Sequence, residues 1–210
     1  SNFAEGSTTR EAFELTSEAF GPGANGPLIL TAELSQPQDF QVLVALTETL
    51  EQTKGVAEVL GPVPNTFGDP ASASAAIIRV TPTTGPQDAA TDELVKSLRS
   101  DVVPSVTDGT DVVVNVSGAV AANIDFSSYL AQRLPIFFIA VLSLSFLLLM
   151  MVFRSLLVPL KAVIMNMLSI AAAYGIVVAL FQWGWLSDIT GVEQAPIEPW
   201  IPMMLFAIVF

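Results

Sequence analysis

Histidine and cysteine are both absent from this 210-residue sequence. The commonest general base, the usual zinc ligands and the thiolate nucleophile are therefore missing from it. What remains for chemistry is a set of carboxylates, scattered hydroxyls, one glycine-rich stretch and a few isolated cations. Asp92 and Glu93 form an adjacent acidic pair, but they fall on the solvent face of a predicted helix, where hydration is their expected role. No serine has an evident activating partner, so no nucleophile–base pair is legible, and no catalytic, cofactor-binding or metal-ligating residue is assigned. The stretch GPGANG, Gly21 to Gly26, matches the literal pattern G-x-G-x-x-G. Dinucleotide binding needs a strand before that pattern and a helix after it, so that the phosphates meet a helix N-terminus. Here a helix precedes and a strand follows. The stretch is read as a helix stop followed by a tight turn. Asn115, Val116 and Ser117 fit the glycosylation triplet but sit within a predicted strand. Enzyme chemistry and cofactors are not expected.

A second set of polar residues lies inside apolar runs: Ser143, Ser145, Asn166, Ser169 and Tyr174. Asn166 and Ser169, with the small run Ala171 to Ala173 and Gly175, suit a close helix–helix contact. Asn166, Ser169 and Tyr174 are the helix-packing or transport-path candidates, and hydrogen bonding between helices is the commoner role for such groups. No Asp, Glu, Lys or Arg lies inside a complete apolar run, so no ion or proton relay is legible there.

Charge divides the chain into two materials near Arg133. Only Asp188, Glu193 and Glu198 of the 20 acidic residues, and only Arg154 and Lys161 of the eight basic ones, follow that point. The first part has the makeup of an acidic folded domain; the second reads as membrane. A formal net charge of −12 argues against nucleic acid, whose binding needs clustered cations. Leu134 to Phe153 is an uncharged run of 20 residues, roughly 30 Å as a helix and enough to cross a bilayer. Ala162 to Trp185 is a second predicted span, with Trp183 and Trp185 as interfacial anchors. A third begins at Trp200 and stops at Phe210. The connection between the first two spans holds only Arg154 and Lys161, whereas 186–199 holds only acids. The positive-inside rule then places 154–161 in the cytoplasm, with 1–133 and 186–199 on the opposite side of the plasma (inner) membrane. The N-terminus has no basic region followed by an apolar core, so a missing upstream span is expected to deliver the first domain.

The elements that position these residues follow from periodicity. Thr8 and Glu11 have capping-box spacing, and Ala12, Leu15 and Ala19 form a helical stripe. Leu28 to Leu34 alternates as a strand. Ser35 and Gln38 offer a second capping box, ahead of a helix lined by Phe40, Leu43, Leu46 and Leu50. VAEVLG, from Val56, is a short strand, and Ala76, Ile78 and Val80 mark another. Leu94, Leu98 and Val102 face inward from a second helix, and Val112, Val114 and Val116 mark a last strand. The order β-α-β-β-α-β predicts an α+β, ferredoxin-like domain with an all-α membrane region after it. The expected organisation is an N-terminal helix and Gly-rich turn (1–27), the domain (28–118), a connecting helix (119–133), a span (134–153), a cytoplasmic loop (154–161), a span (162–185), an outer loop (186–199) and the start of a third span (200–210). A helix continuous through 119–133 would couple domain motion to membrane motion.

Three stretches, EAFELTSEAFGPGANGPLIL, VFRSLLVPLKAVIMNMLSIAAAYGIVVALFQWGW and PIEPWIPMMLFAIVF, resemble the MMPL branch of the RND superfamily of transporters. The likeness is to the C-terminal half, from its second extracytoplasmic domain through the eighth, ninth and start of the tenth spans. It implies proton-motive-force-driven export of lipids or other hydrophobic compounds, with membrane lipids, a lipid-like substrate and the rest of the transporter as partners. It also implies an Asp-Tyr proton relay on the tenth span, expected just beyond Phe210, so that no relay residue is assigned within this chain. A membrane-anchored extracytoplasmic sensory or binding module is the alternative from another class.

Overall fold

Leucines at every second position make Leu28–Glu33 a strand, β1, that buries Leu28, Leu30 and Ala32 and exposes the residues between them. In the computed structural model, which describes residues 6–66, 72–185, 201 and 204, β1 sits at the centre of a four-stranded antiparallel sheet. The other strands are β2 (Val56–Pro64), β3 (Ala75–Pro82) and β4 (Val113–Ser117), and the order is β2-β3-β1-β4. Leu30 faces Ile78 on one side and Val116 on the other, so three apolar side chains form one row on the inner face. Against that face pack Leu43, Leu46 and Leu50 of α2 (Asp39–Glu51) and Leu94 and Val95 of α3 (Ala89–Ser97). On the opposite face Ile29, Ile77 and Val113 are exposed beside Thr31, Arg79 and Asn115 among the described residues.

The inner residues named by periodicity on β1, β3 and α2 are in this core. Several local expectations are corrected. The helix α1 (Thr8–Phe20) is capped by Ser7, whose hydroxyl accepts from the Arg10 amide, rather than by Thr8. Its Leu15 is 67% exposed, and Ala12 and Ala19 are exposed as well. The helix is held on another side, where the Asn25 amide donates to the Phe13 carbonyl and to the Ser17 hydroxyl. The Ser35–Gln38 box does not form either. Asp39, 6% exposed, accepts from the backbone amides of Ser35 and Gln36 at 2.8 Å each, and its carboxylate outcompetes the neutral Gln38 side chain that the box would place on the Ser35 amide. After α3, a π turn (Leu98–Val102) leads into α4 (Val103–Thr107). Pro104 has no amide hydrogen, so the regular helical bond is lost and the turn widens. Val102 packs against the core as expected but is only half-buried, and Val103 is buried beside it. The strand β2 runs to Pro64, three residues beyond the short predicted strand.

GPGANG forms a helix stop and a turn: the Gly21 amide caps α1 through the Ser17 carbonyl, and Pro22–Asn25 is one short 3₁₀ turn. Gly118 makes the other sharp turn. Its φ is +113°, and a β-carbon there would lie 2.8 Å from the Pro27 carbonyl oxygen. From that turn α5 runs Ala119–Phe153 as one 35-residue helix, and its Val120 and Ala121 complete the core.

The chain divides into two compact units, Phe3–Asp125 and Phe126–Phe210, and the division falls inside α5. In the second unit, α5 and α6 (Leu157–Val177, extended by a π turn through Gln182) are both long and apolar enough to cross a membrane. The second helix starts at Leu157, earlier than the predicted Ala162, because Pro159 fits a first helical turn, where no amide donor is needed. Pro135 interrupts the hydrogen-bond ladder of α5 one residue after the apolar run begins. The expected outer loop (186–199), the start of the third span and the N-terminal residues 1–5 lie outside the described residues, apart from helical positions at Ile201 and Met204.

Candidate functional site

Three groups of polar and charged residues stand out among the described residues. The first lies between α5 and α6. Ser145, Leu148 and Leu149 of α5, with Ala162, Val163 and Asn166 of α6, line a groove of about 280 Å³. Its polar side chains are the Asn166 amide and the Ser145 hydroxyl, in an otherwise apolar wall. In a bilayer such groups gain most by bonding to another span, a trapped water or a polar part of a passing molecule. The other two candidates on α6 lie apart from this groove. Ser169 donates its hydroxyl to the Met165 carbonyl of its own helix at 2.9 Å, so its bonding is met locally. Tyr174 is half-buried one turn further on. Ala171 to Ala173 are exposed, and a β-carbon added at Gly175 would meet nothing within 4 Å. That small-residue face is open among the described residues.

The second group is the connection between the helices. Backbone capping ends α5 at Arg154, whose amide donates to the Met150 carbonyl at 2.9 Å while its own φ is +49°. Left-handed residues at this position satisfy a helix's last carbonyls, and glycine or asparagine usually supplies them. Lys161 lies on the second turn of α6, beside a groove of about 440 Å³ lined otherwise by Leu157, Val158, Ala162 and Met165. At the other end of the apolar run, the Arg133 guanidinium lies 5.3 Å from the centre of the Tyr129 ring. A charged and an aromatic side chain one turn apart suit the polar boundary of a bilayer.

The third group ties the root of α5 to the domain. Arg99 reaches Asp125 with both guanidinium nitrogens, at 2.5 and 2.9 Å, and donates to the Val116 carbonyl of β4 at 2.8 Å. The ion pair holds the Asp125 carboxyl below its ordinary range and the Arg99 guanidinium above its own. Sequence reading does not find this pair, because its partners lie 26 positions apart and neither stands in a local pattern. Tyr129 and Arg133, by contrast, carry a legible signal in their four-residue helical spacing.

The MMPL family model matches residues 4–192, a span that takes in both units. Among curated relatives, Membrane protein YdfJ of Bacillus subtilis is 37% identical over 205 residues, covering 96% of this chain and 27% of that protein. The Mycolic acid-containing lipids exporter MmpL11 of Mycolicibacterium smegmatis is 28% identical over 207 residues, covering 96% of this chain and 21% of the exporter. The Heme uptake protein MmpL11 of Mycobacterium tuberculosis is 28% identical over 198 residues, 92% of this chain and 20% of that protein. The chain therefore spans between a fifth and somewhat over a quarter of the length of these relatives.

Proposed function

The chain belongs to the MMPL family, and from that premise we propose that it is one segment of a proton-motive-force-driven exporter of lipids or other hydrophobic compounds across the inner membrane. The observation that carries this reading is the family match across the domain and both apolar helices together. The lipid cargo of this reading follows the name of the Mycolicibacterium smegmatis relative.

On this reading the domain is ferredoxin-like, which the strand order β2-β3-β1-β4 and the alternation of helices and strands support. The domain lies outside the cytoplasm, and the Arg154–Lys161 connection lies inside, as positive charge at a short connection favours. The helix α5 carries movement between membrane and domain. Asn166 and Ser145 bond to a neighbouring span, and the substrate path runs beside them. No carboxylate occurs between Phe126 and Trp185, so the residues that carry protons belong to other parts of the protein.

Reconstitution of the full-length protein tests the proposal. A fluorescent lipid-like substrate should cross proteoliposome membranes only while a proton gradient is imposed. Transport at the same rate after the gradient is collapsed would remove the antiport mechanism.

A further inference from the structure

Phe126 to Trp185 contains three cations, Arg133, Arg154 and Lys161, and no Asp or Glu. Arg133 is placed against Tyr129. The side chains of Arg154 and Lys161 make no hydrogen bond or ion pair among the described residues. A counter-charge for them has to come from outside these two helices.

Two observations show what kind of anion fits. Arg154 holds a left-handed backbone, φ +49°, a conformation unfavourable for a bulky L residue and easily filled by glycine. The backbone of Arg154 caps α5 while its guanidinium stays exposed beside the turn. Lys161 stands beside the groove lined by Leu157, Val158, Ala162 and Met165, all apolar. A cation next to an apolar groove, on a helix long enough to cross a bilayer, matches an amphiphile with an anionic head. Free phosphate would meet the charges and leave the groove empty. An acidic peptide would have to enter the hydrocarbon to fill it.

We infer that the α5–α6 turn binds an anionic phospholipid. Lys161 and Arg154 hold its phosphate, and one acyl chain lies along Leu157 and Met165. The inference rests on α5 and α6 crossing a membrane; it requires neither transport nor a particular cargo. Bound in this way, the lipid supplies the missing counter-charge and fixes the depth of the turn in one leaflet.

Photocrosslinking in the full-length protein tests it. With Leu157→p-benzoylphenylalanine, in vesicles of equal phosphatidylglycerol and phosphatidylcholine, adducts to the anionic lipid should exceed the other by about 25-fold, from roughly fivefold for each of two cations near a charged surface. Lys161→Gln should lower the excess about fivefold and Lys161→Arg should keep it. Arg154→Gly should reduce it while unfolding at an unchanged or higher temperature, which separates loss of the guanidinium from misfolding. Adducts in simple proportion to the lipids, or an excess unchanged in Lys161→Gln, would overturn the site. So would displacement by excess inorganic phosphate, which would make it a free-phosphate site. No adduct to either lipid would instead overturn the reading of α6 as a membrane helix.

Discussion

Arg99 and Asp125 meet through two parallel contacts, 2.5 and 2.9 Å, and the nitrogen that makes the longer one also donates to the Val116 carbonyl. One guanidinium thereby joins the turn after α3, the last strand and the root of α5. The Asp125 side chain is 59% exposed, so solvent screens the pair and its net worth is no more than about 1 kcal/mol. Its value is geometric, since it fixes the first turns of α5 against the sheet.

Replacing Asp125 by Asn should therefore cost little global stability but loosen the start of α5. Hydrogen exchange across Ala119 to Asp125 in the intact protein should rise, and exchange in β1 should stay as it is. The pH dependence has a definite sign. The Asp125 pKa is lowered in the folded state, so the pair's contribution is fully present above the ordinary Asp range, and it fades as pH falls through the lowered value. Wild type and variant should differ at neutral pH and converge in acid. A difference that grew in acid would contradict the pairing.

Gly118 should tolerate a side chain far less than Gly109. Both have positive φ, +113° and +83°, but a β-carbon at Gly118 would clash with the Pro27 carbonyl at 2.8 Å, whereas Gly109 has open space. Gly109→Ala should cost about 1 kcal/mol, the conformational penalty alone, and Gly118→Ala should cost about 2–3 kcal/mol or more. Thermal unfolding of the two variants side by side gives the ranking. Equal midpoints would show that the contact with Pro27 gives way freely.

How much of this was legible from sequence depends on whether a signal is local. The alternation of Leu28, Leu30 and Ala32, and the helical spacing of Leu43, Leu46 and Leu50, identify their inner faces without any partner in view, because burial follows the element's own period. Failures came where a neighbour decided the outcome. Asp39 took the Ser35 amide that the Gln38 side chain was expected to accept from, because its carboxylate reaches two amides at once. Pro104 widened the turn through one missing donor, so that Val103 is buried while Val102 is only half-buried against the core. Leu15 is exposed because Asn25, five residues beyond the end of α1, ties the helix down by its other side. In the membrane half, composition located both helices. It could not say that Ser145 would share a groove with Asn166, since adjacency between two apolar helices is set by packing that periodicity does not encode.

Asn166 gives the clearest mutational test in that half. If its amide bonds to a neighbouring span, Asn166→Leu should lower the stability of the full-length protein by about 0.6 kcal/mol, typical of such bonds in membranes, and leave the proposed transport activity per folded molecule close to wild type. Ser169→Ala should have less effect, because that hydroxyl bonds only to its own helix. A collapse of transport in Asn166→Leu with unchanged stability would move the residue from the packing to the path.

The proposed orientation can be read with single cysteines, since the chain has none of its own. On a background without cysteines elsewhere, Ser155→Cys should react with a membrane-impermeant maleimide only after the membrane is opened. Thr110→Cys, on the exposed turn before β4, should react in intact cells. The reverse pattern would invert the topology.

Pro135 gives α5 a mechanical character beyond its length. A proline withholds one rung of the helical ladder, here the bond to the Ala131 carbonyl, while the covalent backbone remains unbroken. Such a rod resists stretching as any helix does, yet bends more easily at one level, just where its sequence becomes wholly apolar. Thrust along the axis would pass this point with little loss, whereas tilt would be absorbed by it. If α5 crosses the membrane as proposed, it is stiff along its axis and bends most easily at Pro135.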